Sequence, residues 1–145
     1  MPYTVRFEGD ICWATLHGTV TNADLLDLAR KAAELEAKHA IVPHRIADFG
    51  TVDELKIDFA GVEALVRERS RKRFPNESKT ALIAPDVIHY GFARMFQTLM
   101  GRSQIHVAIF PTSAEALQWL SMPGLDLPET PWAPPSPVTP TPPDR

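Results

Sequence analysis

The chain has 145 residues, 44% of them hydrophobic, and a formal net charge of −3. This length predicts one domain, and the slightly acidic balance argues against nucleic acid as a partner. A single cysteine, Cys12, excludes an internal disulfide and favours a reducing, cytoplasmic location. Because no apolar run approaches the roughly 18 residues typical of a membrane span, we expect no stable membrane insertion.

The first part of the chain predicts a hairpin followed by a helix. Two apolar runs, at residues 3–8 and 11–16, flank a Gly-Asp pair that is typical of a tight antiparallel turn. Thr21 then suits the N-cap of a helix, because its hydroxyl can accept a hydrogen bond from a free backbone amide. Apolar residues keep helical spacing from there to about His39.

The centre of the chain predicts a short buried strand at residues 45–48, a polar loop at residues 50–56 and a second helix starting at Asp58. The carboxylate of Asp58 has two interpretations. It either caps the helix by satisfying free amides, or acts at the carboxyl ends of the strands, where open α/β sheets bind ligands. We favour the cap, because such caps are common.

A basic run ends the second helix. Residues 67–73 contain four arginines and one lysine. Cations near a helix C-terminus interact favourably with the helix dipole, which is the interpretation we favour. A docking surface for an acidic partner or for phospholipid headgroups is the alternative.

The remaining elements alternate between strand and helix. Residues 79–84 and 104–110 are apolar enough for buried strands, and Asp86 and Thr112 suit the N-caps of the helices that follow. The predicted order is β-β-α-β-α-β-α-β-α, which favours parallel strands with right-handed crossovers and one antiparallel strand from the opening hairpin. We therefore predict one α/β domain over residues 1–122, with a five-stranded mixed sheet and four helices.

Beyond residue 122 the composition changes. Nine of the 14 prolines lie in residues 123–145. Because proline lacks an amide proton and fixes φ, we expect a flexible, extended tail. Its one aromatic side chain, Trp132, should be exposed to solvent unless the third helix leaves an apolar groove open, in which case Trp132 would dock there.

Two short stretches resemble motifs of the STAS domain. Residues 46–52 read I-A-D-F-G-T-V and residues 57–62 read I-D-F-A-G-V, where the family has D-L-S-G-V at a strand end and I-D-S-S-G-L at a helix start. More closely, residues 3–120 are similar to the SpoIIAA-like (STAS/SEC14-like) group of small bacterial proteins. This resemblance implies a non-enzymatic binding or regulatory module without a cofactor, acting on a protein partner or a small nonpolar ligand.

The chain departs from the family pattern at the regulatory serine. In the anti-sigma-factor antagonists of this family, phosphorylation of the serine after the motif aspartate switches partner binding. Phe59 and Ala60 occupy the two serine positions here, so the resemblance implies the fold without that switch. Modification at Thr51 would instead indicate a relocated switch. The candidate partner or ligand loop consists of Asp48, Thr51, Asp58 and Phe59.

The third helix carries a broad apolar stripe. With a rotation of about 100° per residue, the stripe spans roughly 140° of the helix circumference. The stripe comprises Ile88, Phe92, Met95, Phe96, Leu99 and Met100. It is either a wide core face or, at one edge, an apolar ligand pocket or a homodimer contact. The candidate pocket consists of His89, Phe92, Phe96 and Met100. A carrier requires an enclosed apolar volume on the order of several hundred Å³, whereas a regulator requires only a surface patch.

No motif supports catalysis or metal binding. The histidines form no ligand-spaced cluster with each other or with Cys12, and the chain contains no P-loop, G-x-S-x-G elbow or G-x-G-x-x-G sequence. We therefore predict no catalytic residues, no metal site and no cofactor.

Overall fold

The computed structural model describes residues 2–71, 73–128 and 131–134. Within them lie five strands and four helices, in the predicted order. The strands are β1 (Tyr3–Glu8), β2 (Ile11–Thr21), β3 (His44–Lys56), β4 (Ser78–Ile83) and β5 (Ile105–Phe110). The helices are α1 (Asn22–Glu36), α2 (Phe59–Ser70), α3 (Val87–Met100) and α4 (Ser113–Ser121).

The strands lie in the sheet in the same order as in the chain, β1-β2-β3-β4-β5. β1 pairs with β2 in antiparallel orientation, and the later pairs are parallel. The turn between β1 and β2 places Gly9 at φ +61°, a conformation that glycine adopts without strain. The predicted mixed sheet and opening hairpin are therefore confirmed.

The helices cover both faces of the sheet. Each of the first three helices, α1 to α3, connects two neighbouring parallel strands. These helices pack on one face of the sheet, as expected when each connection has the usual right-handed crossover. α4 packs on the opposite face, where Trp119 and Leu120 are buried against Ile46 and Phe110. Leu82 of β4 and Ile109 of β5 are buried in the first of these layers.

The four predicted helix caps are present. Thr21 and Asp24 form a reciprocal capping box at α1. At α2, α3 and α4 the cap side chains accept hydrogen bonds from the amide three residues on, at 2.9 Å for Asp58, 2.8 Å for Asp86 and 3.4 Å for Thr112. These bonds satisfy amides that the helix itself leaves free, and so they set where each helix starts.

Three predicted boundaries are wrong by more than one residue. β2 continues beyond residue 16 to Thr21. α1 ends at Glu36, before His39, and residues 50–56 are not a loop but the second half of β3, paired with the end of β2. β4 ends at Ile83, so among the described residues no strand lies beside this half of β3 on that side, and its polar side chains face solvent. Register shifts along β2 keep the two strands paired. The polar residues at positions 50–56, which indicated a loop, belong to a strand that is exposed to solvent on one side.

A buried lysine supports α4 from within the sheet. Lys79 of β4 is 1% exposed, and its Nζ donates to the carbonyl oxygens of Trp119 and Met122 at 2.9 and 2.8 Å. Burial lowers the pKa of Lys79 below its ordinary value. The ammonium thus donates to two carbonyls at the C-terminal end of α4, where a positive charge is favourable to the helix dipole.

The described part of the tail is in contact with the domain. Trp132 packs on Tyr90, which α3 leaves partly exposed, so Trp132 takes the docked alternative. The remaining tail residues, 129–130 and 135–145, lie outside the described residues, and the domain boundary at residue 122 stays a prediction.

Candidate functional site

A cavity of about 90 Å³ lies between the sheet and the layer formed by α1, α2 and α3. Its wall is mainly apolar, and alanines occupy many of the positions at which helix and sheet face each other. Their short side chains leave space that larger residues would fill. Representative lining residues are Ala14, Ala47 and Leu82 from the sheet and Ala29, Val62 and Ala93 from the helices.

The cavity includes most of the predicted pocket. His89, Phe92 and Phe96 line it, whereas Met100 does not. Met100 is buried farther along α3, where its sulfur lies 3.8 Å from the hydroxyl oxygen of Ser70.

The predicted apolar stripe on α3 is too broad. Ile88 and Leu99 are exposed, and the residues that point inward follow the spacing 89, 93, 96 and 100. The buried face of α3 is therefore narrower than the apolar stripe in its sequence, because a helix buries only the side that meets the sheet.

Three charged side chains form a buried cluster at the wall of the cavity. Arg69 donates from Nη1 and Nη2 to the two carboxylate oxygens of Glu36, at 2.7 and 3.1 Å. Arg45 Nη2 lies 2.8 Å from Glu36 Oε2. Each of the three residues is less than a tenth exposed. The Arg69–Glu36 pair, with its two hydrogen bonds, is the form in which a protein interior tolerates ionised groups, whereas Arg45 is held near Glu36 by charge.

The cluster shifts the pKa values of Glu36 and Arg69. Burial acts to raise the pKa of Glu36, but the hydrogen bonds of Arg69 and the positive charges of Arg45 and Arg69 outweigh it and hold the pKa below its ordinary value. Burial, followed by repulsion from Arg45, lowers the pKa of Arg69. At neutral pH the cluster therefore contains one negative and two positive charges, since arginine remains protonated in proteins.

The sequence prediction did not identify this cluster. Arg69 belongs to the basic run at the end of α2, for which we favoured an interaction with the helix dipole, and its burial separates it from its exposed neighbours Arg67 and Arg71. One signal was available. The buried residues of α1 lie at positions 25, 29, 32 and 36, so Glu36 falls on the face of the helix that packs in the core. A carboxylate at such a position requires a buried cation.

His89 lies at the end of the cavity nearest the start of α3. Its amide donates to Asp86 Oδ1 at 2.8 Å, and its Nδ1 lies 3.1 Å from Asp86 Oδ2. Its ring centroid is 6.5 Å from that of Phe49. The imidazole thus lies beside the Asp86 carboxylate and near an aromatic ring, and its Nδ1 has no hydrogen-bond partner among the described residues.

Two residues of the predicted partner or ligand loop lie in a strand. Asp48 and Thr51 belong to β3, where Asp48 Oδ1 accepts from the amide of Gly50 and the Thr51 hydroxyl donates to the carbonyl oxygen of Leu16, both at 2.8 Å. Both polar groups therefore hold the local strand geometry. Phe59, in contrast, is 53% exposed at the first position of α2.

Asp58 has a structural role beyond its cap. Asn22 Nδ2 donates to Asp58 Oδ1 at 3.1 Å, and the Asp58 amide donates to Asn22 Oδ1 at 3.3 Å. A Cβ atom on Gly61 would lie only 1.8 Å from that same Asn22 oxygen. The aspartate and glycine of the motif thus allow the starts of α1 and α2 to approach closely.

Two further properties concern the described residues only. No three His, Cys, Asp or Glu side chains in residues 2–71, 73–128 and 131–134 come together as a metal site. In the same part of the chain, no helix is long and apolar enough to cross a bilayer.

A solved structure shares this architecture. An uncharacterised DUF3478-family protein from Shewanella loihica PV-4, with a SpoIIAA-like fold, matches with a TM-score of 0.53 and 16% identity over 81% of this chain and 91% of that chain. The phosphorylated form of the Bacillus cell fate determinant SpoIIAA matches with a TM-score of 0.49 and 14% identity, over 81% of this chain and 97% of that chain. No protein-family model and no curated protein matches the sequence. The chain has the SpoIIAA-like, STAS-like fold that its motifs indicated.

Proposed function

We propose that this chain is a non-enzymatic, STAS-like binding module that holds a small, largely nonpolar ligand between its sheet and helices α1 to α3. The cavity is the observation that carries this proposal. Its wall combines apolar contact from three helices and the sheet with a few polar groups at defined places. Ligand sites in proteins commonly have this composition, in which apolar area supplies affinity and the polar groups supply specificity.

The volume limits the size of the ligand. Sites for drug-sized molecules occupy about 300–1,000 Å³, and an engineered cavity of about 150 Å³ accommodates benzene. A cavity of about 90 Å³ therefore suits a molecule of a few carbon atoms, or one end of a longer molecule. This size supports a sensor or regulatory module over a carrier that encloses a whole lipid.

A small uncharged probe tests the proposal. Hexan-1-ol should shift the methyl resonances of Leu82 and Ala93 in the NMR spectrum, because both side chains line the cavity. The variant Ala93→Leu fills the space and should abolish the shift at Leu82. Ala60→Leu makes the same substitution at an exposed position of α2 and should leave probe binding unchanged. Equal loss of binding in both variants, or no binding by the wild type, contradicts the proposal.

A protein partner is the second candidate, and one observation favours it. Phe59 at the start of α2 is 53% exposed, and Val87 and Ile88 at the start of α3 are each 69% exposed. Helices α2 and α3 pack against each other, so these side chains lie at one end of a helix pair. Exposed apolar groups concentrated in this way are typical of interaction surfaces.

The second candidate is tested with charged substitutions. Ile88→Glu should abolish binding of the partner, whereas Ile41→Glu, at a residue 71% exposed in the connection between α1 and β3, should not. Sedimentation velocity with the same variants shows whether the partner is a second copy of this chain. Retention of the partner by Ile88→Glu argues against this surface.

A further inference from the structure

We propose that the cavity binds a short-chain carboxylate, with the carboxylate at Arg45 and the hydrocarbon extending toward His89. This inference rests on the proposed function and specifies the chemical class of its ligand. It starts from the hydrogen-bonding state of one buried arginine.

Arg45 has donor atoms that the described residues do not satisfy. Its side chain is 9% exposed and lines the cavity. Within the described part of the chain, Nε and Nη2 have no hydrogen-bond partner, and the contact of Nη2 with Glu36 is an ion pair without hydrogen-bond geometry. A buried N–H of a guanidinium without an acceptor is unfavourable, so the site lacks an acceptor that a ligand can supply.

The charge of the cluster indicates the charge of that ligand. Arg69 uses both carboxylate oxygens of Glu36 in a two-bond contact, which leaves the charge of Arg45 as the surplus. An uncompensated buried cation is costly. A monoanion would neutralise the cluster, whereas a doubly charged phosphate would leave it negative.

The surroundings of Arg45 suit a carboxylate. A planar carboxylate matches the fork of a guanidinium and accepts charge-assisted hydrogen bonds from it. Thr80 is the register partner of Arg45 on β4 and also lines the cavity, so a hydroxyl donor lies on the neighbouring strand. Together these donors define a polar end to the cavity.

The rest of the wall suits a hydrocarbon chain. Ala47 and Phe49 follow Arg45 at every second position of β3 and line the same cavity. Four residues of strand span about 13 Å, so the distance from Arg45 to Phe49 matches a short acyl chain rather than a single methyl group. The limited volume of about 90 Å³ excludes a bulky hydrophobic group.

The test compares hexanoate with hexan-1-ol, its uncharged analogue of the same chain length, in a chloride-free buffer at pH 7. Hexanoate should bind the wild type at least tenfold more tightly, as expected for hydrogen bonds to a charged group. Arg45→Gln leaves Glu36 paired with Arg69, and it should remove the preference for hexanoate while hexan-1-ol still binds. Arg67→Gln changes an exposed arginine and should keep the preference.

A second measurement needs no substitution, in case Arg45→Gln does not fold. In a ¹⁵N spectrum of arginine side chains, hexanoate should shift the Nε–H resonance of Arg45, and hexan-1-ol should not. Equal affinity for both probes, an unchanged preference in Arg45→Gln or an unshifted Nε–H overturns the carboxylate assignment while the cavity proposal stands. If neither probe binds the wild type, both proposals are wrong.

Discussion

Trp132 stacks on Tyr90 with ring centroids 4.3 Å apart and 15° between the ring planes. Its Nε1 also donates to the carbonyl oxygen of Ala84 at 2.8 Å, just beyond the end of β4. One side chain of the proline-rich tail therefore contacts both α3 and the sheet. Stacking and a satisfied indole N–H are the two ways in which a tryptophan stabilises a contact of this kind.

We predict that Trp132→Ala lowers the free energy of unfolding by about 2 kcal/mol, through lost apolar burial and a lost hydrogen bond. Urea denaturation measures this change. Pro134→Ala, two residues on at an exposed position, should change stability by less than about 0.5 kcal/mol. The wild-type minus Trp132→Phe fluorescence difference should be blue-shifted relative to tryptophan in water, and an emission like that of free tryptophan would show that Trp132 does not dock in solution.

Gly61 gives the second prediction. We expect Gly61→Ala to lower the free energy of unfolding by about 1–3 kcal/mol, because its Cβ would overlap the side chain of Asn22. Gly91→Ala is the matched control, since Gly91 also lies in a helix and its Cβ would meet no neighbour. That change should be neutral or stabilising by up to about 1 kcal/mol.

A double variant identifies the cause of the Gly61 effect. Removal of the opposing side chain by Asn22→Ala should make Gly61→Ala less costly than in the wild type, because the overlap is then absent. If the cost of Gly61→Ala stays the same in both backgrounds, a contact with Asn22 does not explain it. Denaturant midpoints of the four proteins provide the comparison.

Glu36 gives the third prediction. Glu36→Gln should cost about 3–5 kcal/mol at pH 7, because it leaves two buried guanidinium groups without their carboxylate. Glu63→Gln is the control, since Glu63 pairs with Arg67 at the surface and should contribute less than about 1 kcal/mol.

The wild type and Glu36→Gln should also differ in the pH dependence of their stability. The folded pKa of Glu36 is lowered from the ordinary value of 4.5, so its stabilisation is complete above pH 4.5 and is lost as the pH falls through the folded pKa. Urea midpoints from pH 7 to pH 3 should therefore fall more steeply for the wild type than for Glu36→Gln. Parallel curves would mean that Glu36 does not remain ionised in the fold.

Tyr3 gives the fourth prediction. Burial, together with the hydrogen bond that its hydroxyl donates to Asp27 and the charge of that carboxylate, raises the pKa of Tyr3 to about 12. A raised folded pKa means that its stabilisation is complete below the ordinary value of 10.0 and is lost as the pH rises through about 12.

Absorbance at high pH measures this titration. The wild type should show a phenolate transition near pH 12 that is absent from Tyr3→Phe. At neutral pH the substitution should cost about 1 kcal/mol, the typical contribution of one hydrogen bond. A phenolate transition of Tyr3 at its ordinary value of 10.0 would contradict the burial and hydrogen bonding of this residue.

Most of the fold could be predicted because its signals are local. The spacing of apolar residues distinguishes strands from helices within a few residues of sequence. Capping side chains such as Asp58 and Asp86 mark where the helices begin. The second half of β3 could not be recognised in this way. Its polar residues reflect the early end of β4, a relation between strands that no local pattern contains.

The candidate site could be predicted only in part, for a similar reason. His89, Phe92 and Phe96 lie on one helix face, and their spacing brings them together in any packed structure of that helix. Glu36, Arg45 and Arg69 come from three different elements, and only the complete fold places them in contact. Charge pairs of this kind require knowledge of which elements are neighbours.

The order of the strands has a consequence for synthesis. Each strand from β2 onward lies beside the one made just before it, so every new strand leaves the ribosome with its hydrogen-bonding neighbour already in place. As the sheet of a nascent chain grows, it therefore extends at one edge, the most recently added strand. This limits the opportunity for that edge to pair with a strand of another chain. Trp132 emerges after the last strand, so its contact with Ala84 can form only after every strand has been synthesised.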